Sequence, residues 1–419
     1  MTDHSGHTDH QIRRRTDLGK EQYENSLSRQ VRTLDELAEV QVRKCFDLDK
    51  LCRVLDERKA SAIKRVIIVG CGDSYSAAGA MSSGFRKLSG IRRVNTPDPM
   101  DFCRFYPANR ILRECLPEEA LFIGISASGS SARVAEALEK ANKYGLYTVL
   151  ITRKPESLCG KEANACLDVE TPEGCNTPGL RSYYASLVAL AAVAAYLGKS
   201  NGNLSEEEFY DAGASIAAYI RDFMKDIDRI EDQMFDLACE LKDYTKFEVI
   251  ADWNEGYSAQ FIEQKFIECS GVYCDHTTSE EFAHISMMHR LPNEIVTMVL
   301  INKADLSLSR MKDTINGSVI LGRPTIVVTD CEASEFEEKK AFDPDSINSL
   351  YKPAVGSGLV MAETDAKPVI CKIAEAPEQW MSPFVDYIPG ALLASYHAAL
   401  NETFFFAGIY DFRNEISVG

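Results

Sequence analysis

The stretch ISASGSSARVAEAL, residues 125–138, sets Ser126, Ser128, Ser130 and Ser131 around Gly129 just before a run with helical periodicity. Hydroxyls there, with the unpaired backbone N–H groups and positive dipole end of a helix start, form a site for an anion such as a phosphate. Serines at a helix start also serve as plain caps. A second turn bears on the choice: in VIIVGCGDSYSAAG, residues 66–79, an apolar β-branched run turns at Gly70 and Gly72 into Asp73, Ser74 and Tyr75. Tyr75 stands where a dinucleotide fingerprint needs its third glycine, and no Gly-Lys-Ser/Thr follows either turn, which disfavours dinucleotide and P-loop sites alike. Ligands of open parallel sheets lie beyond the carboxyl ends of strands, where two such turns can face each other.

The elements that must position these turns alternate in type. RVIIVG (65–70), ALFIGIS (120–126) and YTVLIT (147–152) read as short buried strands, and 76–88 and 131–145 as helices, the pattern of βαβ units in a parallel sheet covered on both faces. About 180 residues on, the pattern returns: FEVIADWNEGYSA (247–259) echoes RVIIVGCGDSYSA, VTMVLIN (296–302) echoes LFIGIS, and PTIVVTD (324–330) echoes YTVLITR. The second copy lacks the glycines of the first turn and has NKADLSLS in place of the serine turn, so phosphate chemistry is expected in the first copy. The expected organisation is an N-terminal tail and helical segment (1–60), a first domain (61–200), a helical linker (201–244) opened by a Ser205/Glu208 capping box, a second domain (245–400) and a C-terminal tail (401–419).

Composition bounds the partners. A net charge of −17 over 419 residues argues against nucleic acid. The longest apolar run, 185–198, falls short of the roughly 20 residues that span a bilayer and reads as a core helix. The N-terminus has no apolar signal segment, which implies a cytoplasmic protein. Thirteen cysteines without a Cys-x-x-Cys pair are expected to be reduced thiols. His4, His7 and His10 stand three apart in a polar tail with no acidic support, so no metal is expected, and no cofactor.

GCGDSYSAAG, ISASGSSARV, NTPGLRSYYASL (176–187) and PGALLASYHAAL (389–400) together resemble the SIS, or sugar isomerase, phosphosugar-binding domains over roughly residues 60–400. The likeness is to double-SIS proteins: the isomerase half of glucosamine-6-phosphate synthase and the sugar-phosphate deglycases and deaminases. It implies two tandem three-layer α/β/α domains with mostly parallel sheets. It also implies that Ser126, Ser128 and Ser131 hold a sugar 6-phosphate with Ser74 nearby, and that Gly72, Asp73 and Gly129 belong to the same substrate-binding turns. Asp73 and Ala127 depart from the synthase, which has Thr and Gln there.

Residues 256–285 align with the family segment in which a helix glutamate moves a proton between C1 and C2 and a histidine sixteen residues later helps open the sugar ring. Glu268 and His284 hold those positions, and Glu281 matches a further acid. Such proton transfer needs a carboxylate with a burial-raised pKa and a group titrating near neutrality, and no metal. Each residue also has a plainer reading, as a solvated helix glutamate or a core or cap histidine. Arg181 is either a substrate contact or one half of a surface ion pair. Ile416 stands where the synthase carries its Schiff-base lysine, and a glutamine-hydrolysing domain is not expected.

The expectation is a metal-free, homodimeric enzyme acting at C1 and C2 of a sugar 6-phosphate, most simply an amino or amine-conjugated sugar, as isomerase, deglycase or deaminase, with His284 facing across the subunit interface. The rivals are a non-catalytic phosphosugar sensor and, more weakly, a structural pseudoenzyme.

Overall fold

The computed structural model describes residues 19–113, 115–172, 174, 178–336 and 367–403. His4, His7, His10 and Ile416 lie outside the described residues.

β1 (Arg65–Gly70), β2 (Arg93–Asn95), β3 (Ala120–Ile125), β4 (Tyr147–Thr152) and β5 (Ala165–Asp168) form one sheet in the order β2-β1-β3-β4-β5, parallel throughout. β6 (Lys246–Ile250), β7 (Tyr273–Thr277), β8 (Val296–Leu300), β9 (Thr325–Thr329) and β10 (Val369–Lys372) repeat it in the order β7-β6-β8-β9-β10, again parallel. The sequence echoes therefore fall on equivalent strands: β1 on β6, β3 on β8, β4 on β9. Every residue of β1 and β3 is buried, as continuous apolar runs covered on both faces must be. In each sheet the winding reverses between the first and third strands, which fixes the cleft beyond the carboxyl ends of β1 and β3 in one domain and β6 and β8 in the other.

The helices that matter are α1 (Asp73–Ala80), α2 (Ala132–Lys143), α3 (Arg181–Asn201), α4 (Glu206–Phe223), α5 (Ile227–Leu241), α6 (Glu255–Ser270), α7 (Ser279–His284), α8 (Leu308–Ile320) and α9 (Ile388–Leu400). The apolar run 185–198 lies inside α3 and is buried all round as a core helix; no described helix is long and apolar enough to cross a membrane. The helix expected over 76–88 starts earlier, at Asp73, and breaks at Met81 before a second helix, Ser82–Ser89, that ends at Gly90 with φ +70°. Gly72 supplies the left-handed turn that allows the early start. The capping box at the start of α4 forms in both directions, Glu208 N–H to Ser205 Oγ at 3.1 Å and Ser205 N–H to Glu208 Oε2 at 2.7 Å.

α1 and α6, the equivalent first helices of the two domains, pack on each other. Tyr75 and Tyr257, equivalent residues, meet edge to face with centroids 6.0 Å apart. Gly79 lies under the Tyr257 ring so closely that a Cβ would come within 2.2 Å of it. Ser76 Oγ donates to Gln260 Oε1 at 3.0 Å. One apolar core runs through α3, α9 and the inner faces of both sheets, with smaller clusters under the outer helices.

Candidate functional site

The two turns of the first domain are built around glycines. Gly70 closes β1 so tightly that a Cβ would stand 2.6 Å from the Ser74 backbone, and Gly72, at φ +56°, is the N-cap of α1. Gly129, at φ +66°, bends the second turn against Ser157, whose Oγ would lie 2.0 Å from an added Cβ. Ser126 is thereby buried while Ser128 and Ser130 face outward, their hydroxyls 2.8 Å apart. Ser131 is the N-cap of α2, yet its side chain makes no cap hydrogen bond; instead Oγ lies 3.5 Å from Cys71 Sγ, joining the two turns. Ser74, half-buried, opens the other side. Hydroxyls gathered beside the N-terminus of a twelve-residue helix suit an oxyanion.

Helix α6 brings the second domain to this cleft. Its buried stripe, Phe261, Ile262, Lys265, Phe266 and Cys269, carries a lysine among apolar side chains. Lys265 is fully buried, with Nζ 4.6 Å from the Phe261 ring centroid. That Nζ donates to Asp73 Oδ2 at 3.0 Å and to Glu268 Oε2 at 2.5 Å, so one ammonium bridges α1 of the first domain and the glutamate of the second. Asp73 keeps 22% of its side chain exposed. Burial pushes its carboxyl up to about 6, Lys265 draws it back down, and Glu268 adds to the rise. The two carboxylates hold the Lys265 ammonium charged, raising its pKa despite burial.

Several sequence expectations change here. Glu268 is 43% exposed and ion-paired to Lys265, not a buried carboxylate: it lies at the edge of the buried stripe rather than on it. His284 ends α7 at 73% exposure, with Nε2 3.3 Å from Glu280 Oε2, a carboxylate that also holds Arg310 Nε at 2.7 Å. No hydrogen bond or ion pair joins His284 to Glu268, so the chain brings Asp73, Lys265 and Glu268 together and leaves the histidine outside. Glu281 is exposed and bonds through its backbone N–H to Thr278 Oγ1. Arg181 is 5% exposed in the first turn of α3, where Gln30 Oε1 accepts its backbone N–H; it is a buried side chain and not a surface ion pair. Lys265 was missed by sequence reasoning, although a lysine on the apolar stripe three residues before Glu268 is a legible signal.

Residues 103–196 match the SIS domain family model. Among curated proteins the chain is 26% identical over 222 residues to glutamine–fructose-6-phosphate aminotransferase (isomerizing) of Streptococcus pneumoniae, covering 52% of this chain and 35% of that one. The match thus spans about a third of the relative's length. The C-terminal domain of glucosamine-fructose-6-phosphate aminotransferase from Francisella tularensis superposes with a TM-score of 0.71 at 17% identity, covering 92% of this chain and 98% of that one. Tagatose-6-phosphate ketose/aldose isomerase from Escherichia coli gives 0.66 at 13% identity, over 94% and 98%. Both share the fold across the two halves of the chain.

Proposed function

For a chain whose residues 103–196 match the SIS domain model, we propose an enzyme that moves a proton between C1 and C2 of a sugar 6-phosphate, most simply one that already bears an amine. The observation that carries this reading is the Asp73–Lys265–Glu268 bridge, in which Lys265 ties the Glu268 carboxylate of its own helix to Asp73, next to Ser74 at the first turn of the other domain. Ser126, Ser128, Ser131 and the start of α2 hold the phosphate, with Ser74 beside them. Glu268 takes the proton from the carbon next to the carbonyl and returns it to the neighbouring carbon, so the enzyme ends the cycle unchanged. The Lys265 ammonium orients Glu268 and offsets negative charge developing on the substrate oxygen.

His284 fits a shared site. Beyond it lie Ile285, 65% exposed, and Met288, 69% exposed, and an apolar groove beside Tyr273 and Leu291 follows. Exposed apolar side chains on a histidine-bearing loop suit a contact with a second copy of this chain, whose cleft the imidazole would complete.

The separation of Glu268 from His284 within one chain favours a second reading, a phosphosugar-binding regulator without turnover. A thermal-shift screen with sugar 6-phosphates, their 2-amino forms and fructosamine 6-phosphates, followed by NMR of each hit, separates the two. A ligand at a hundredfold excess over its Kd adds about 2.7 kcal/mol of stability. A stabilising compound that is converted supports the enzyme; stabilisation with no conversion by the dimer supports the regulator; no stabilisation by any phosphosugar defeats both.

A further inference from the structure

The second domain buries an ion pair that the proton transfer does not use. The side chains of Arg323, just before β9, and Glu248, in β6, are 0% and 6% exposed, with Arg323 Nη1 2.6 Å from Glu248 Oε2. An ion pair this deep gains little over an apolar filling of the same volume. What it adds is direction, because a guanidinium is a rigid fork of donors. Arg323 is also pinned through its backbone: its N–H donates to the Ser318 carbonyl, in α8, at 3.1 Å, and its own carbonyl accepts Thr325 Oγ1 at 3.0 Å.

The fork reaches the chain on both sides of His284. Two residues after the histidine, Arg323 Nη2 donates to the Ser286 carbonyl at 2.7 Å, and Ser286 Oγ donates to Glu248 Oε1. Two residues before it, the Phe282 ring has its centroid 5.2 Å from the guanidinium carbon. Nη1 also donates to Thr297 Oγ1, in β8, at 3.2 Å, which ties the same group to the sheet. Phe282 and Ser286 are buried, whereas His284, Ile285, Met287 and Met288 are exposed. The backbone is thus gripped from inside while the imidazole stands in solvent beside Glu280.

We propose that Arg323 is the positioning residue for His284: with Glu248 it fixes Phe282 and Ser286 to the sheet, and so presents the exposed imidazole in one orientation. What that imidazole does rests on the function proposed above; how it is held rests on these contacts alone. α7 is six residues long, too short to keep a direction by its own hydrogen bonds. Its orientation must come from packing, and Arg323 supplies a charge-assisted hydrogen bond and a ring contact on either side of the one histidine.

Hydrogen exchange of the full-length chain, read by mass spectrometry on peptides from 279–291, tests this in Arg323→Lys and in the double variant Arg323→Met with Glu248→Gln. Lysine keeps a charge opposite Glu248 but not the fork, and the double variant removes both charges, so neither leaves one buried alone. If the double variant does not fold, the lysine variant carries the test. The expected result is exchange over 282–288 at least about tenfold faster, as the loss of one or two hydrogen bonds gives, with β1 and β3 unchanged. On a phosphosugar that the wild type converts, kcat should fall about tenfold or more with KM little changed, because the serine turns are untouched. Unchanged exchange over 282–288 in a folded variant overturns the proposal. So does faster exchange with kcat intact where His284→Ala lowers kcat. If His284→Ala itself leaves kcat unchanged, the role given to the imidazole fails, and the exchange rates alone decide whether Arg323 holds the loop.

Discussion

Lys265 Nζ, in the second domain, lies 3.0 Å from Asp73 Oδ2, in the first, and the lysine has no exposed surface. The contact locks α6 onto the turn that follows β1, so Glu268, one helical turn further on, is placed by both domains at once. A buried ion pair of this kind is costly to break from one side, about 3–5 kcal/mol.

Asp73 makes stability depend on pH in a defined interval. Its carboxyl is pushed from 3.8 up to about 6 in the folded chain, so between those values the native state keeps a proton that the unfolded chain has released. Raising pH through that interval therefore lowers the stability contributed by this group, and the loss is complete above about 6. Denaturant unfolding of wild type and Asp73→Asn from pH 4 to pH 7 should show the wild type losing ground to the variant as pH rises to about 6. A constant difference would remove Asp73 from the titration.

Glu268→Gln should keep phosphosugar binding, since the serine turns are untouched, and lower turnover by about 10² or more. Steady-state kinetics on whichever substrate the screen identifies gives the answer, with unchanged kcat excluding Glu268 as the proton carrier.

If the imidazole of one subunit completes the cleft of another, inactive Ser128→Ala and His284→Ala chains should restore activity when unfolded together and refolded. Mixed dimers then contain one intact site. Failure to recover any activity, with dimers verified by sedimentation, would place His284 outside the chemistry.

Gly79→Ala puts a methyl group into the Tyr257 ring and should cost about 1–3 kcal/mol through overpacking. Its effect on phosphosugar affinity should be small beside that of Ser128→Ala, since Gly79 lies on the helix interface and not in the turn. Chemical denaturation and ligand titration of both variants would show this.

Much of this arrangement is legible in the sequence because the parallel strands are short continuous apolar runs, and because a repeated Tyr-Ser-Ala after each first strand aligns the two copies. The serine turns are legible for the same local reason, glycine spacing. What sequence conceals is the partner chosen across the chain. Nothing local says that Lys265 reaches Asp73, 192 residues away; only the docking of α1 on α6 does. Burial of Arg181 and exposure of Glu268 are likewise set by helix packing, which spacing alone does not specify. The break at Met81 shows the limit from the other side, since the run 76–88 is periodic enough to read as one helix while its backbone forms two.

The edge-to-face meeting of Tyr75 with Tyr257 puts two copies of one ancestral surface in contact inside a single chain. In an assembly of separate identical copies, every mutation is inherited by both halves, so no change can suit one cleft without altering the other. Covalent fusion removes that constraint: serines fill the second turn of the first domain and NKADLSLS stands in its place in the second, so the two clefts can carry different side chains.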